Sequence, residues 1–373
     1  SQLEQIGFNA NGSADIGNHA FEFGFQYEQR STSAYSVDNP TGLWTLMRQL
    51  TNSHIKQLDL DNPMRVYVDD GFGNLTFADT IKYNLKYDQS SQKFFDVNLR
   101  KKLGLAVNGT DWVDVDNLDP STYSIDMFSA DELLNDGYNY VTYYGYDHIG
   151  NKTSGKTNME DFLSGKDENG NKTRSIGAYE PIYMAGYLQD KFAFDDLIFN
   201  IGVRVDRFDA NQQVLKDNYL LAPAKTVSEV TGYNQYGEPF VHPSNMGSDY
   251  VVYVDDAVNP NTIMGYRNGS DWYNAQGQVI SDPSVLAGSS GRVTPYLVDP
   301  LEYLTTNTKV SSKAFKDYEP QFSVMPRVSF SFPVSDKALF FAHYDVITKR
   351  PTSGVFMNPV SYLFIEKTGT TDI

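Results

Sequence analysis

Cysteine is absent from this chain of 373 residues. Disulfide scaffolds, thiolate metal sites and cysteine nucleophiles are excluded with it. No run approaches the ~20 apolar residues of a spanning helix, so a helical membrane protein is excluded too. A transmembrane barrel stays open, because its strands need only about 9–11 residues, half of them polar. Positive charge is scarce: 30 Lys and Arg stand against 47 Asp and Glu, a formal net charge of −17. Such a chain repels phosphate backbones and shows no basic stripe, which argues against nucleic acid as a partner. The five histidines, His19, His54, His148, His242 and His343, make no close pair at metal spacing. Gly288-Ser-Ser-Gly291 lacks the spacing of a nucleophile elbow, and no phosphate loop ending in Lys-Ser/Thr occurs. These absences argue against an enzyme. The opening residues carry no charged–apolar–small leader, so an export signal is expected outside this sequence. Asn-x-Ser/Thr triplets at Asn74, Asn108, Asn151 and Asn268 read as turn formers, since a cysteine-free secreted ectodomain of this size is unusual.

Aromatic residues are plentiful, 26 Tyr and 23 Phe against 3 Trp, a composition that suits strands and membrane interfaces. They fall into alternating rows. Ile6, Phe8 and Ala10 oppose Gln5, Gly7, Asn9 and Asn11, and after Asp15-Ile-Gly-Asn-His19 the row Phe21, Phe23, Phe25 and Tyr27 opposes Glu22, Gly24, Gln26 and Glu28. Leu197, Phe199, Ile201, Val203 and Val205 oppose Asn200, Gly202, Arg204 and Asp206, after a tight turn at Asp195-Asp196. The preceding stretch from Tyr183 alternates too weakly for faces to be assigned. Gln321 to Phe332 alternates with Pro326 interrupting, which predicts a bulge or a missing ladder bond. Pro333 to Asp336 reads as a turn, and Phe340, Ala342, Tyr344 and Val346 return opposite Phe341, His343 and Asp345. Strands place successive side chains on opposite faces, so each hairpin has one apolar and one polar face. An all-aromatic row facing a row with two glutamates fits lipid outside and water inside.

Long excursions separate the hairpins, 31–180 and 210–316. The first carries helix signals: Thr41 as a cap before Leu43, Leu46, Met47 and Leu50; Ser91 before Phe95, Leu99 and Leu103 with a Gly104 stop; and a capping box at Ser129-Ala-Asp-Glu132 with a Gly137 stop. Asn169-Gly170 marks a hairpin turn. Beyond Lys349-Arg350-Pro351-Thr352 the sequence is loop-like, with no closing strand. Connections are thus alternately a few residues and very long, as expected of short periplasmic turns and long outer loops.

The runs Tyr179-Glu-Pro-Ile-Tyr-Met-Ala-Gly-Tyr-Leu-Gln-Asp-Lys-Phe192, Asn200-Ile-Gly-Val-Arg-Val-Asp-Arg-Phe208, Pro326-Arg-Val-Ser-Phe-Ser-Phe-Pro333 and His343-Tyr-Asp-Val-Ile-Thr-Lys-Arg-Pro351 resemble the barrel of TonB-dependent outer-membrane receptors. Leu43-Trp-Thr-Leu-Met-Arg48 and Ser121 to Leu134 are similar to outer loops of the Bacteroidetes type that bears a carboxypeptidase-regulatory-like extension, the Oar-like group. The resemblance implies a 22-stranded barrel closed by an N-terminal plug in the bacterial outer membrane. Its implied partners are the bilayer with its lipopolysaccharide, the TonB complex and a ligand taken up from outside. Plug, TonB box and terminal strand are not found in the sequence. The expectation is an all-β segment, about six antiparallel strands of a larger barrel, that neither closes nor transports alone. Two alternatives stand beside uptake: an Oar-like surface or secretion-associated barrel, and a soluble β-rich binding protein.

Candidate sites follow from these faces. Glu22, Glu28, Arg204, Asp206, Arg327, His343 and Asp345 are expected on the lumen wall, where they balance charge or meet a plug or substrate. Tyr143, Tyr144, Trp272 and Tyr273 are ligand-stacking candidates in the loops, against the reading that they form the loops' own small cores. Asp111, Asp114, Asp116 and Asp119 offer clustered carboxylates to calcium, without EF-hand spacing, against the reading of a solvated acidic turn. No cofactor is required; a structural calcium ion is the one candidate. The ligand itself cannot be read from the strands, since one barrel serves many substrates.

Overall fold

The computed structural model describes residues 1–288, 291–300, 310–350 and 356–365. The two serines inside Gly288-Ser-Ser-Gly291 and residues 351–355 lie outside the described residues, and the stretch expected to be loop-like beyond Arg350 carries a short helix, Pro359–Leu363. Six long strands carry the fold: β1 Gln2–Ile16, β2 His19–Val37, β3 Ile182–Phe194, β4 Leu197–Asp209, β5 Gln321–Ser335 and β6 Ala338–Asp345. They form one antiparallel sheet in chain order, with β1 and β6 as its edges among the described residues. The protein is mainly β with short helices, and this sheet is open rather than closed into a barrel.

Two-residue turns join the hairpins. Gly17 and Asp195 take φ values of 63° and 50°, the left-handed backbone that such loops need if their twist is to match the strands. The third turn differs from expectation. Strand β5 continues through Pro333 to Ser335, with a register shift between those two residues, so the turn falls at Asp336-Lys337. Pro326 causes no bulge: its pairing with Val203 continues in register. Its carbonyl accepts from the Val346 N–H, 3.1 Å away, on the β6 side. N–H and C=O of one residue point to the same edge, so the missing proline donor falls just past the last β5–β6 pair, Arg327 with Asp345.

The chain divides into two compact units, one of Ser1–Ser33, Ser154–Ser164 and Ile176–Ile373, the other of Ala34–Thr153 and Gly165–Ser175. Most of the excursion expected at 31–180 therefore forms a unit of its own, whereas that at 210–316 belongs with the long strands.

In the second unit, the apolar spacings become helices α1 Pro40–Leu50, α2 Phe94–Leu103 and α3 Ala130–Leu134. Leu46, Met47, Leu50, Phe95, Leu99, Leu133 and Leu134 are buried, and Phe95 stacks on Phe128 with centroids 4.4 Å apart. The capping box at Ser129 and Glu132 is complete. Other caps moved. Asn39, not Thr41, accepts the Gly42 N–H to open α1, because Pro40 occupies the first helical position and requires the cap one residue earlier. Helix α2 starts after Lys93 rather than Ser91, which closes a short 3-10 turn, and it ends at Gly104 as expected, with φ 71°. Asn135, already left-handed at φ 39°, ends α3 two residues before Gly137. Buried beneath α2 lies a charged network the sequence did not reveal. Asp96 accepts from Arg100 Nε at 2.8 Å, the Asn52 amide at 2.9 Å and Gln92 Nε2 at 2.7 Å. Only such multiple hydrogen bonding makes a fully buried ion pair tolerable.

One loop type recurs in both units. Asp70, Asp147, Asp167, Asn234 and Asn274 each accept backbone N–H groups two and four residues ahead, and each is followed three residues on by a glycine with positive φ. The Asx oxygen replaces a ladder partner and the glycine supplies the left-handed step. Asn169-Gly170 is one of these turns, as expected.

In the first unit, excursion 210–316 builds a five-stranded sheet from Val279–Ile280, Asp271–Asn274, Ile263–Asn268, Val251–Val254 and Thr294–Pro295, in that spatial order. Val230, Val252, Val254, Ile263 and Tyr266 form its core.

Burial in the second unit holds His148 below the ordinary histidine pKa of 6.5, while its Nε2 lies 3.2 Å from the Phe128 carbonyl. A histidine whose folded pKa is depressed contributes stability that is complete above its unfolded pKa and lost as pH falls through the folded value. The urea midpoint of this unit should therefore drop on acidification below about pH 6.5, and His148→Gln should flatten that part of the profile.

Candidate functional site: a two-faced sheet

Pairing register, not any single strand, defines the two faces. Across the sheet Phe23, Leu188, Val203 and Pro326 lie side by side, as do Phe25, Gly186, Val205 and Val324. The next row toward the turns is Phe21, Asp190, Ile201, Val328 and Tyr344. These rows are apolar but for Asp190, and mostly open to solvent: Phe23 is 50% exposed, Ile201 45% and Val324 59%. On β4 the exposure alternates inside out, with Ile201, Val203 and Val205 exposed while Gly202, Arg204 and Asp206 are half-buried. A water-soluble sheet shows the opposite order.

At the tight-turn end the apolar face carries a belt of rings. His19 contacts Phe21 and Phe192 at 5.7 and 5.1 Å, Phe192 stacks on Phe199 at 5.2 Å, and Phe199 reaches Phe330 at 6.3 Å. Phe340 closes the series against Phe330 and Phe332. His19 Nδ1 sits 2.7 Å from Asp190 Oδ2 at the turn end of this face, and Arg207 pairs with Asp209 at 2.8 Å at its far end. From Phe322 to Phe332 strand β5 advances about 33 Å at ~3.3 Å per residue. Tilted by about 45°, that spans about 23 Å, close to the roughly 25 Å apolar band of membrane barrels.

The opposite face collects all seven residues expected on a lumen wall. Glu22, Gln189, Gly202, Arg327 and Asp345 form one row across five strands. Gln26, Ala185 and Asp206 form another, and Tyr187 lies beside Arg204. Arg204 Nε donates to Asp206 at 2.7 Å and its Nη2 to the Tyr183 hydroxyl at 2.9 Å, while Tyr183 donates to Asp206. Arg327 pairs with Asp345 at 3.0 Å. Glu28, nearly buried, takes Arg30 at 2.7 Å and Arg350 at 3.2 Å. His343 packs on Phe341, the rings 5.4 Å apart. Glu22 stays exposed at its end of the row.

Segment Val346–Arg350 lines a cleft of about 570 Å³ together with β3, β4 and β5. Arg350 stacks over the Tyr183 ring at 4.8 Å. Tyr183, Tyr187 and Arg350 were missed in the sequence. The first two lie in the stretch where both alternating rows contain apolar residues, and register alone assigns their face.

The loop candidates sit elsewhere. Tyr143 is 4% exposed and donates to the Arg174 carbonyl at 2.9 Å; burial pushes its hydroxyl pKa upward. Tyr144 is the half-buried end of the same short strand, Val141–Tyr144. Trp272 contacts Tyr253 at 4.9 Å, and Tyr273 contacts Tyr250 at 5.4 Å. The aspartates of the calcium candidate turn to separate partners. Asp114 accepts the Asp116 amide and the Asn117 side chain, Asp116 takes Trp44 and Arg48, and Asp119 takes the amide and hydroxyl of Ser121. Arg48 and Trp44 hold the Asp116 carboxyl below the usual range, and Ser121 does the same for Asp119. Asp111 contributes its carbonyl to Arg100 at 2.9 Å. Among the described residues no three His, Cys, Asp or Glu side chains gather as metal ligands.

Comparisons with family models, with curated proteins and with solved structures find no match to this chain.

Truncating a buried aromatic removes its packing, whereas truncating an exposed one changes little. Tyr143→Ala should destabilise the second unit by about 3–5 kcal/mol, and Trp112→Ala, 60% exposed, by at most about 0.5 kcal/mol. Urea denaturation of both variants measures the difference.

Proposed function

We propose that this chain is a wall segment of a bacterial outer-membrane β-barrel of the TonB-dependent receptor type. In this reading the apolar face meets lipid and the polar face lines the lumen. The tight turns face the periplasm, and the long connections capture a ligand at the lipopolysaccharide-bearing surface. In this reading, uptake is driven through the TonB complex. The observation that supports it best is the inside-out sheet, whose apolar face is exposed across all six strands and bordered by rings at the tight-turn end. Burying that face in water-free surroundings is the only way to remove so much apolar area from water. Lipid does so without a second protein layer, and aromatic rings prefer the boundary between hydrocarbon and water. Edges that are unpaired among the described residues, on β1 and β6, suit continuation of the wall by further strands.

Lipid contact is measurable. In the full-length protein reconstituted with brominated phospholipid, Ile201→Trp should add strongly quenched fluorescence, and Arg204→Trp should not. Equal quenching at both positions, or a detergent-free soluble monomer, would refute the proposal. A cation at mid-membrane on the lipid face of such barrels costs about 2–4 kcal/mol, so Ile201→Arg should lower stability in bilayers by that amount. Gly202→Ala should act differently: its added Cβ would meet Gln189 Cβ at 3.2 Å on the polar face, a steric effect indifferent to lipid.

A further inference from the structure

A second cleft, of about 430 Å³, opens on the five-stranded sheet of excursion 210–316, within the roughly 300–1,000 Å³ range of small-ligand sites. Its floor is Arg267, only 2% exposed. Each nitrogen of that guanidinium is engaged: Nε donates to the Tyr253 hydroxyl at 2.9 Å, one terminal nitrogen to the Gly269 carbonyl at 2.8 Å and the other to Asp217. It also lies 4.7 Å from the Tyr219 ring and 5.5 Å from Trp272. Tyr219 meets Trp272 edge-on at 5.7 Å. The inner side of Tyr219 is therefore fixed, yet the residue is 54% exposed. An aromatic ring is held rigid and presented to solvent.

Around the ring stand Asn218, Asn268 and Ser270, whose side chains make no hydrogen bond to a described residue. Each offers donor and acceptor together. Charge in the cleft cancels, since Asp217 neutralises Arg267 and Lys216 is matched by Asp249. A phosphate or polyanion would find no surplus cation here, and an apolar ligand would leave the amides unpaired. A neutral ligand with many hydroxyls and one C–H-rich face satisfies both the ring and the amides.

We infer that this cleft binds a neutral oligosaccharide, one sugar ring stacked on Tyr219 and its hydroxyls bonded to Asn218, Asn268 and Ser270. The inference rests on the receptor reading for its role, as the ligand class captured by an outer loop, but its geometry is independent of lipid. The test uses the full-length protein in detergent on an array of neutral hexasaccharides: α- and β-glucans, mannan, galactan and xylan. At least one should be retained. Tyr219→Ala should weaken that binding at least tenfold, Tyr219→Phe should keep it, and Asn268→Ala, on an exposed turn, should reduce it several-fold even if Tyr219→Ala fails to fold. Retention of no sugar, or of one equally by Tyr219→Ala and Asn268→Ala proteins, overturns the inference. Brominated-lipid quenching at Ile201→Trp, run in parallel, separates the two readings. Quenching without sugar binding refutes only the cleft, and sugar binding without quenching refutes only the membrane wall.

Discussion

Register in the six-stranded ladder is the constraint on which the rest depends. A strand alone has two faces, but which residues of the next strand share a face is decided by pairing, and a slip of one residue would exchange every row. Here five successive pairings keep the apolar rows aligned from Phe8 to Tyr344 and the polar rows aligned from Asn11 to Asp345. The tight turns at Gly17 and Asp195 set that register locally, and the aromatic belt between β2 and β6 reinforces it through cross-strand ring contacts.

The same alignment concentrates charge. Arg204, Asp206 and Tyr183 come from two strands and form one hydrogen-bonded group only because Tyr187 and Ala185 stand opposite Arg204 and Asp206. Glu28 is nearly buried on the polar face because two arginines, Arg30 and Arg350, converge on it. Opposite the apolar rows, polar side chains satisfy one another; the few polar residues on the apolar face, His19 with Asp190 and Arg207 with Asp209, pair at its two ends. The proposed lipid and lumen environments follow from this division of labour.

The long connections obey different rules. They bury small cores of their own, and each is held by at least one buried cation: Arg100 on Asp96 in the second unit, Arg267 on Asp217 in the first. Both arginines spread their donors over carbonyls or neutral side-chain groups as well as the carboxylate, which is what makes such burial affordable. The candidate sugar cleft is a by-product of that arrangement, because the immobilised Arg267, together with Trp272, holds one side of Tyr219.

Sequence by itself determined much of this protein: the strand segments, two of the three turns, the capping box at Ser129, the Gly104 stop and the face of every residue named for the polar wall. These are local properties, written in period-two alternation and in the backbone needs of glycine and capping side chains. Tertiary structure decided what depends on contacts distant in the chain. It gave Tyr183 and Tyr187 their face, aligned the ring belt from residues more than three hundred positions apart, moved the third turn past Pro333, and buried Arg100 and Arg267. It also sent the carboxylates of Asp114, Asp116 and Asp119 to separate partners and set Tyr143 in a core rather than on a surface. Alternation is blind where both rows are apolar, and no spacing rule shows which carboxylate an arginine will meet once the chain has folded.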